Sequence, residues 1–339
     1  MAEYVVLSDL HMGEEKEYAA LTDPEVVEKL AKELEETCKD LQGIILTGDI
    51  IDMALAPVPE CFTCLSTFLK TMSSISKSIF YVPGNHDHHI WEMCVTQDMC
   101  KTLTNGSIPG YPPAHGNYSG NQLFLTGLMP LYKDLKVIYP ACELEFGRQI
   151  LLTHGHLLAG ASIGLLGLQE AISTFKGEER LNQLELQNSG INELLWYYLE
   201  SSEIMRAAVE KSWDEGGGTF AVITIICKLL GLGKISSFIL QAFKGKRLQH
   251  RGLRIGDLIP AIEAFLEVLE VPPSCFIFGH THVPEVVRVN ISGKSCVVAN
   301  PGSWLASDKR GYNTYLVIDS QSVTLKKLGK GLMQRIYFD

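Results

Sequence analysis

The chain has 339 residues, a hydrophobic fraction of 46% and a formal net charge of −10 at pH 7. This composition supplies a sizeable core and excludes general disorder, while the acidic balance argues against a protein that coats nucleic acid through clustered Lys and Arg. Nine cysteines form an odd, scattered set, which indicates reduced thiols and a cytoplasmic location.

The first part of the chain is predicted to alternate strands and helices. The stretch YVVLSDLH follows an acidic residue and has no basic lead, so it is expected to be a first strand and not a signal peptide. Two further apolar runs, GIILTGDI and SIFYVPGNHD, also end in polar turns. Segments with helical spacing of apolar residues, PEVVEKLAKELEETCKDLQG and CLSTFLKTMSSIS, separate the three runs. This order predicts an α/β layered fold with polar strand ends at one edge.

Three later runs, QILLTHGH, CFIFGHTH and SCVVANPGS, are also predicted strands with polar ends. Between the first and second of these runs the strand pattern disappears, helical patterns dominate and DEGGGT interrupts them. We therefore predict a core formed by residues 1–156 and 272–339. Residues 157–271 are predicted to be a helical insertion that serves as a lid, a membrane contact or an oligomer element.

The polar strand ends concentrate side chains that bind metals. Eight of the ten histidines fall in four such turns, which a chance distribution of core or surface histidines does not explain. Imidazole and carboxylate ligands suit Mn, Fe or Zn, and an Asn carbonyl adds a neutral oxygen. Asp49 is central in the order of the turns and is the best candidate for a carboxylate shared by two ions. The candidate site residues are Asp9, His11, Asp49, Asn85, His86, Asp87, His154, His156, His280 and His282.

The motifs DLH, GDIID, GNHD, HGH and GHTH, in this order, resemble the motif set of the calcineurin-like metallophosphoesterases. The NPGS stretch at 300–303 is similar to a turn that many members carry after their final site strand. The match covers about residues 1–156 and 272–320 and leaves the insertion unmatched. The resemblance implies an αββα sandwich, whereas periodicity alone leaves a doubly wound sheet as the alternative.

The resemblance also implies a dinuclear site, with every ligand position occupied by the expected residue type. One ion is expected on Asp9, His11, Asp49 and His282, and the other on Asp49, Asn85, His154 and His280. Two divalent ions would lower the pKa of a shared water and polarise phosphoryl oxygens, which predicts hydrolysis of a phosphate ester or anhydride. Asp9 and Asp49 offset only part of the charge of such a pair, so the site is expected to be cationic and to attract phosphate.

Five further side chains near the expected ligands are given separate predictions. The resemblance assigns His86 proton donation to the leaving group, and Asp87 is expected to orient the His86 imidazole. His156 is a candidate contact for the substrate phosphate. His88 and His89 are expected to face solvent at the start of a helix rather than to contact substrate.

The insertion contains a marked reversal of charge. From Gly216 to Gly256 the chain has no acidic residue but carries seven Lys and Arg. The apolar stretch within this region is broken by lysines and glycines, so it falls short of a bilayer span. A basic flank beside apolar helices is typical of a segment at an anionic membrane surface, and a buried hairpin or dimer interface is the alternative. Residues 219–254 are therefore the candidate peripheral membrane contact.

The substrate stays open at the level of the sequence. The insertion lies between HGH and GHTH, as does the helical lid in the UDP-2,3-diacylglucosamine diphosphatases, which favours a lipid-linked or diphosphate substrate. His86 departs from that group, which typically has Arg after the ligand Asn. A nuclease or phosphodiesterase is a second alternative, against which the overall acidity argues. A catalytically silent binding scaffold is a third, but no expected ligand is missing. The sequence does not predict the oligomeric state.

Overall fold

Two β-sheets organise the part of the chain that the computed structural model describes, namely residues 3–53, 55–110, 113–119, 135–145, 148–158, 179–186, 193, 253–270, 273–306 and 313–338. The strands in chain order are β1 (Glu3–Leu7), β2 (Leu41–Thr47), β3 (Ile79–Val82), β4 (Gly116–Ser119), β5 (Leu135–Tyr139), β6 (Ala141–Glu145), β7 (Gln149–Thr153), β8 (Cys275–Phe278), β9 (Glu285–Ile291), β10 (Lys294–Asn300), β11 (Thr314–Ile318), β12 (Ser322–Lys327) and β13 (Gly331–Tyr337). The helices are α1 (Pro24–Thr37), α2 (Val58–Ser73), α3 (His89–Thr104) and α4 (Ile255–Leu269), with a short 3-10 turn at Ala20–Thr22.

The first sheet has eight strands in the order β13-β12-β11-β1-β2-β3-β5-β4. Strands β1, β2, β3 and β5 are parallel neighbours, and antiparallel strands flank them on both sides. The second sheet has five strands in the order β6-β7-β8-β10-β9, and its central β7, β8 and β10 are parallel. Parallel strands within one sheet end at the same edge, so each sheet gathers polar turns there.

Apolar residues fill three layers around and between the sheets. Val6, Ile45, Leu152 and Ile277 belong to a buried cluster drawn from both sheets, which places it between them. Helices α1 and α2 cover the outer face of the first sheet through a separate cluster. Helix α4 covers the second sheet, where the ring of Phe265 lies 6.3 Å from that of Phe276. The architecture is therefore helix, sheet, sheet, helix, which confirms the predicted αββα sandwich and rules out a single doubly wound sheet.

Helix α1 shows why the local sequence folds as it does. Asp23 precedes the helix and its side chain accepts a hydrogen bond from the backbone N–H of Glu25 at 2.9 Å, while Pro24 occupies the first helical position. The buried residues recur at helical spacing along one face: Val27, Leu30, Ala31 and Leu34. The predicted helices are confirmed as α1 and α2, and the six predicted strands as β1, β2, β3, β7, β8 and β10.

Most of the predicted insertion lies outside the described residues. Residues 179–186 are helical, and α4 packs on the second sheet although the sequence analysis assigned it to the insertion. The domain boundaries themselves stay a prediction. Segment 219–254 lies outside the described residues except for its last two, Leu253 and Arg254. Within the part of the chain that the structure describes, no helix is long and apolar enough to cross a membrane.

Candidate metal centre

The C-terminal ends of five strands bring the predicted site residues to one edge of the sandwich. Three of the strands belong to the first sheet and two to the second. Backbone hydrogen bonds join their turns: the N–H of His11 donates to the carbonyl of Asp49 at 2.9 Å, and that of Gly279 donates to the carbonyl of His154 at 2.9 Å. The residues after each strand are Asp9 and His11 (β1), Asp49 (β2), Asn85, His86 and Asp87 (β3), His154 and His156 (β7), and His280 and His282 (β8).

Asp9, His11 and His282 form the first donor group, with ligand atoms within 4.8 Å of one another. His282 Nε2 lies 3.1 Å from Asp9 Oδ1. The Nδ1 atom of His11 contacts a carboxylate at 2.7 Å, so the proton is held there and Nε2 carries the lone pair. Buried His11 Nε2 has no hydrogen-bond partner among the described residues. An orphaned imidazole nitrogen beside a carboxylate fits a metal ligand.

Asp49, His154 and His280 form the second donor group. His154 Nδ1 donates to the carbonyl of Thr47 at 2.9 Å, so Nε2 is the ring nitrogen that would bind an ion. That Nε2 lies 3.3 Å from Asp49 Oδ2, 3.2 Å from Asn85 Oδ1 and 3.2 Å from His280 Nδ1. Asp49 Oδ2 is also 3.9 Å from His11 Nε2 in the first group. The two groups therefore meet at Asp49, and their nitrogen and oxygen donors suit divalent transition metals.

Backbone strain is concentrated at these same residues. Among the described residues, eight other than glycine have a positive φ, and five of them are candidate ligands: Asp9 (54°), His11 (47°), Asp49 (52°), His280 (65°) and His282 (61°). Such a conformation costs about 1–3 kcal/mol per residue and persists where the surroundings enforce it, which is common at functional sites.

Two glycines allow the turns to approach each other closely. A Cβ atom at Gly84 would collide with the Asp49 carboxylate and its backbone nitrogen, and one at Gly279 would collide with Ser8 and Asp9. The carbonyl oxygen of Gly279 also accepts a hydrogen bond from Asn300 Nδ2 at 2.8 Å. Because Asn300 begins the NPGS turn, that turn holds the GHTH turn against the site.

We expect Gly279→Ala to lower the free energy of unfolding by about 1–3 kcal/mol, because the added methyl group has no space beside Ser8 and Asp9. Chemical denaturation measures the change. The matched control is Gly256→Ala in α4, where a Cβ meets no atom within 4 Å and alanine favours the helix by about 0.5–1 kcal/mol. Equal stability of the two variants would contradict the close approach.

The site carboxylates are ionised despite their burial. Burial opposes ionisation of Asp49, but the attraction of His154, supported by His86, holds the pKa of that carboxyl well below its ordinary value. Burial likewise opposes ionisation of Asp9, and His282 lowers its pKa. Both carboxylates are therefore charged near neutral pH and available as oxygen ligands.

Asp52, which was not among the predicted site residues, contacts two of the site histidines. Its Oδ2 lies 2.7 Å from His11 Nδ1 and its Oδ1 lies 2.9 Å from His86 Nδ1. Burial opposes its ionisation, but His86 and His11 hold the pKa of this carboxyl well below its ordinary value. A fully buried carboxylate thus orients a candidate ligand and the candidate proton donor together. Its position as the last residue of GDIID was the only signal in the sequence.

The prediction that Asp87 orients His86 is wrong. The Asp87 carboxylate accepts hydrogen bonds from the hydroxyl of Tyr81 at 2.5 Å and from the backbone N–H groups of Asp49, Ile50 and Gly84. Burial, reinforced by the charge of Asp49, raises the pKa of Asp87 to about 6. The buried Asp87 carboxylate therefore links the turn after β2 to the turn after β3 through these hydrogen bonds. Asp52 and Asp87 also add two buried carboxyl groups beside the site.

His156 lies beside the second donor group, with its ring 5.4 Å from that of His154. Its Nε2 is 3.1 Å from the hydroxyl oxygen of Tyr139, and that hydroxyl donates to Glu185 Oε2 at 2.6 Å. Its Nδ1 is buried and has no partner among the described residues. The structure thus places His156 near the site, and its contact with substrate stays a prediction.

The prediction that His88 faces solvent is wrong, because its side chain is only 1% exposed. Its Nε2 lies 2.7 Å from Glu185 Oε1 and its Nδ1 lies 3.1 Å from Glu193 Oε1. His89 is partly buried and its Nδ1 lies 2.6 Å from Glu193 Oε2. Glu185 and Glu193, which belong to the predicted insertion, therefore contact the histidines at the start of α3.

The free energy of unfolding is expected to fall at alkaline pH because of His88. Burial opposes its charge, but hydrogen bonds to Glu185 and Glu193 raise its pKa to about 9. A raised pKa stabilises the fold below the ordinary value of about 6.5 and loses this effect as pH rises through about 9. We expect a loss of about 2–3 kcal/mol between pH 7 and pH 10 relative to His88→Gln, measured by denaturation. Parallel pH profiles of the two proteins would contradict it.

Comparison with known protein families identifies a phosphoesterase, which agrees with the donor groups described above. The family model described as calcineurin-like phosphoesterase matches residues 3–203, more than half of the chain. No curated protein matches the chain.

Solved structures show distant similarity. A predicted phosphoesterase from Streptococcus pneumoniae has 13% identity and a TM-score of 0.32, over 99% of this chain and 97% of that one. The phosphoesterase Yfce from E. coli has 12% identity and a TM-score of 0.40, over 99% of this chain and 100% of that one. A dimetal phosphatase from Danio rerio has 10% identity and a TM-score of 0.41, over 99% of this chain and 98% of that one.

Proposed function

Because the chain belongs to the calcineurin-like phosphoesterase family, we propose that it hydrolyses a phosphate ester or anhydride at the edge where the two donor groups meet. The chain is a metal-dependent phosphoester hydrolase, and the family implies a site for two divalent ions. The observation that carries it is the convergence of both donor groups on Asp49.

We propose the ligand sets as Asp9, His11, Asp49 and His282 for one ion and Asp49, Asn85, His154 and His280 for the other. The orphaned Nε2 of His11 and the facing nitrogens of His154 and His280 support this assignment. When bound, two such ions polarise a phosphoryl oxygen and lower the pKa of a water molecule. Mn, Fe and Zn all suit these nitrogen and oxygen donors, so the assay below includes each of them.

His86 is proposed to donate a proton to the leaving group. Its Nδ1 is held at 2.9 Å by Asp52, which stabilises the charged imidazole and leaves Nε2 as the atom that can transfer a proton. Its backbone N–H donates to Asp49 Oδ1 at 2.8 Å, which holds the His86 backbone beside the carboxylate that both ions would share. The side chain keeps 13% exposure, which gives substrate access to it.

A substrate panel tests the proposed function. Chelator-treated protein is reloaded with Mn²⁺, Fe²⁺ or Zn²⁺ and assayed on 4-nitrophenyl phosphate, bis(4-nitrophenyl) phosphate, a UDP-linked diphosphate and single-stranded DNA. We expect at least one ester or anhydride to be hydrolysed with two bound ions and none by the metal-free protein. Two bound ions without hydrolysis of any ester or anhydride in the panel would overturn the proposal.

We further propose a lipid-linked substrate and a cytoplasmic enzyme that contacts anionic membranes through residues 219–254. The support is the sequence pattern of that segment, together with free thiols at Cys38, Cys94, Cys142, Cys275 and Cys296 that suit a reducing compartment. Co-sedimentation with anionic vesicles at low salt tests the membrane contact. Neutral vesicles are the control, and failure to bind either kind would remove it.

A further inference from the structure

A chain of hydrogen bonds connects the predicted insertion to a histidine at the site. It runs from His88 through Glu185 to the Tyr139 hydroxyl and ends at His156 Nε2, with distances of 2.7, 2.6 and 3.1 Å. His88, Tyr139, His156 and Glu185 are each at most 8% exposed, so water does not compete freely for these bonds. None of these four residues belongs to the proposed ligand sets.

The direction of donation along this chain determines which nitrogen of His156 carries its proton. The hydroxyl of Tyr139 has a single proton, which it donates to the Glu185 carboxylate. With that proton engaged, the phenolic oxygen can only accept in the 3.1 Å contact, so His156 Nε2 is the donor there. In a neutral imidazole the second nitrogen is then an acceptor.

His156 Nδ1 is therefore a hydrogen-bond acceptor that carries no proton. It is buried and has no hydrogen-bond partner within the described part of the chain. A buried polar atom without a partner costs free energy, so it indicates a group that the bound state supplies. His156 follows the proposed ligand His154 by two residues, with the rings 5.4 Å apart, and therefore borders the groups that would hold substrate.

We propose that His156 accepts a hydrogen bond at Nδ1 from a donor on the substrate, and that Tyr139 and Glu185 are positioning residues that hold its ring in this tautomer. The donor is a hydroxyl on the alcohol part of a phosphate ester or a protonated oxygen of the phosphate itself. This inference rests on the proposed function and narrows its substrate class. A site with a buried acceptor discriminates against an analogue that lacks the donor.

The test compares ligands that differ in a hydrogen-bond donor. Calorimetry on the manganese-loaded full chain measures dissociation constants for glycerol 2-phosphate and for isopropyl phosphate, which lacks both hydroxyls. A second pair is inorganic phosphate, which carries a proton at pH 7, and sulfate, which does not. If His156 binds an alcohol hydroxyl, we expect glycerol 2-phosphate to bind about tenfold more tightly than isopropyl phosphate. If it binds a phosphate proton, we expect phosphate to bind about tenfold more tightly than sulfate.

Variants then assign the preference to His156. His156→Leu is expected to abolish it, whereas His156→Asn, which keeps an oxygen acceptor, retains most of it. Tyr139→Phe is expected to reduce it at least about threefold by releasing Nε2. Tyr315→Phe is the matched control, because this buried tyrosine donates to Glu33 Oε1 at 2.7 Å elsewhere in the fold.

Equal binding within both ligand pairs by the unmodified protein overturns the proposal. A preference that survives in His156→Leu does the same, since the acceptor then lies elsewhere. An intact preference in Tyr139→Phe overturns the positioning role of Tyr139 and Glu185. If the preference is present but no ester or anhydride is hydrolysed, the proposed function fails and the acceptor site stands.

Discussion

Asp49→Asn is expected to abolish metal-dependent hydrolysis, with a fall in kcat of about 10³-fold or more. Asp49 lies within 3.9 Å of ligand nitrogens in both donor groups, so its charge is shared by the two proposed ion sites. Asparagine keeps the shape and the oxygen that accepts from the His86 N–H, but it removes the charge. The effect therefore reports loss of metal affinity rather than loss of packing.

Metal analysis and kinetics on the same samples check this expectation. The bound metal should fall from two ions per chain to one or none, together with activity. Asp319→Asn is the matched control, because Asp319 Oδ1 accepts backbone N–H groups in the turn between β11 and β12 and lies outside the site. Full activity with two bound ions in Asp49→Asn would show that the shared carboxylate is assigned wrongly.

His86→Ala is expected to lower kcat by about 10²- to 10⁴-fold on an alkyl phosphate, while both ions stay bound. The loss should be smaller on 4-nitrophenyl phosphate, because a good leaving group needs little protonation. Asp52→Asn is expected to show the same dependence on the leaving group, since Asp52 holds the His86 ring at 2.9 Å. It should also weaken metal binding through His11, which it contacts at 2.7 Å.

Kinetics on the two substrates and metal analysis distinguish these effects. His115→Ala is a suitable control, because His115 is exposed and lies on the approach to β4. Equal losses of kcat on the alkyl and aryl phosphates would remove His86 as the proton donor. Loss of bound metal in His86→Ala would instead make it part of the ligand sphere.

The site-bearing strands could be predicted because each is a continuous apolar run that stops at a polar turn. Their assignment to two sheets could not be predicted from periodicity, which reports burial but not pairing partners. Strand β7, for example, pairs with β8 more than a hundred residues later, and nothing local in QILLTHGH specifies this. The family resemblance supplied the second sheet, and the pairing confirms it.

The candidate ligands were predictable by residue type and motif order, whereas their supporting contacts were not. Asp87 is adjacent to His86 in sequence, yet its side chain bonds to backbone N–H groups beneath the turn. Asp52 contacts His86 across 34 positions, and Glu185 contacts His88 across 97. Such contacts depend on how separate turns meet in three dimensions, which no spacing along the chain encodes.

The location of β1 has a consequence for synthesis on the ribosome. β1 lies between β2 and β11, and Val5 pairs with Val317, which follows it by more than three hundred positions. Strand β1 therefore cannot complete its pairing until β11 has emerged from the ribosome. Such non-local pairing slows folding and leaves apolar edges open in the meantime. The nascent chain is consequently expected to need chaperone protection until β11 has been synthesised.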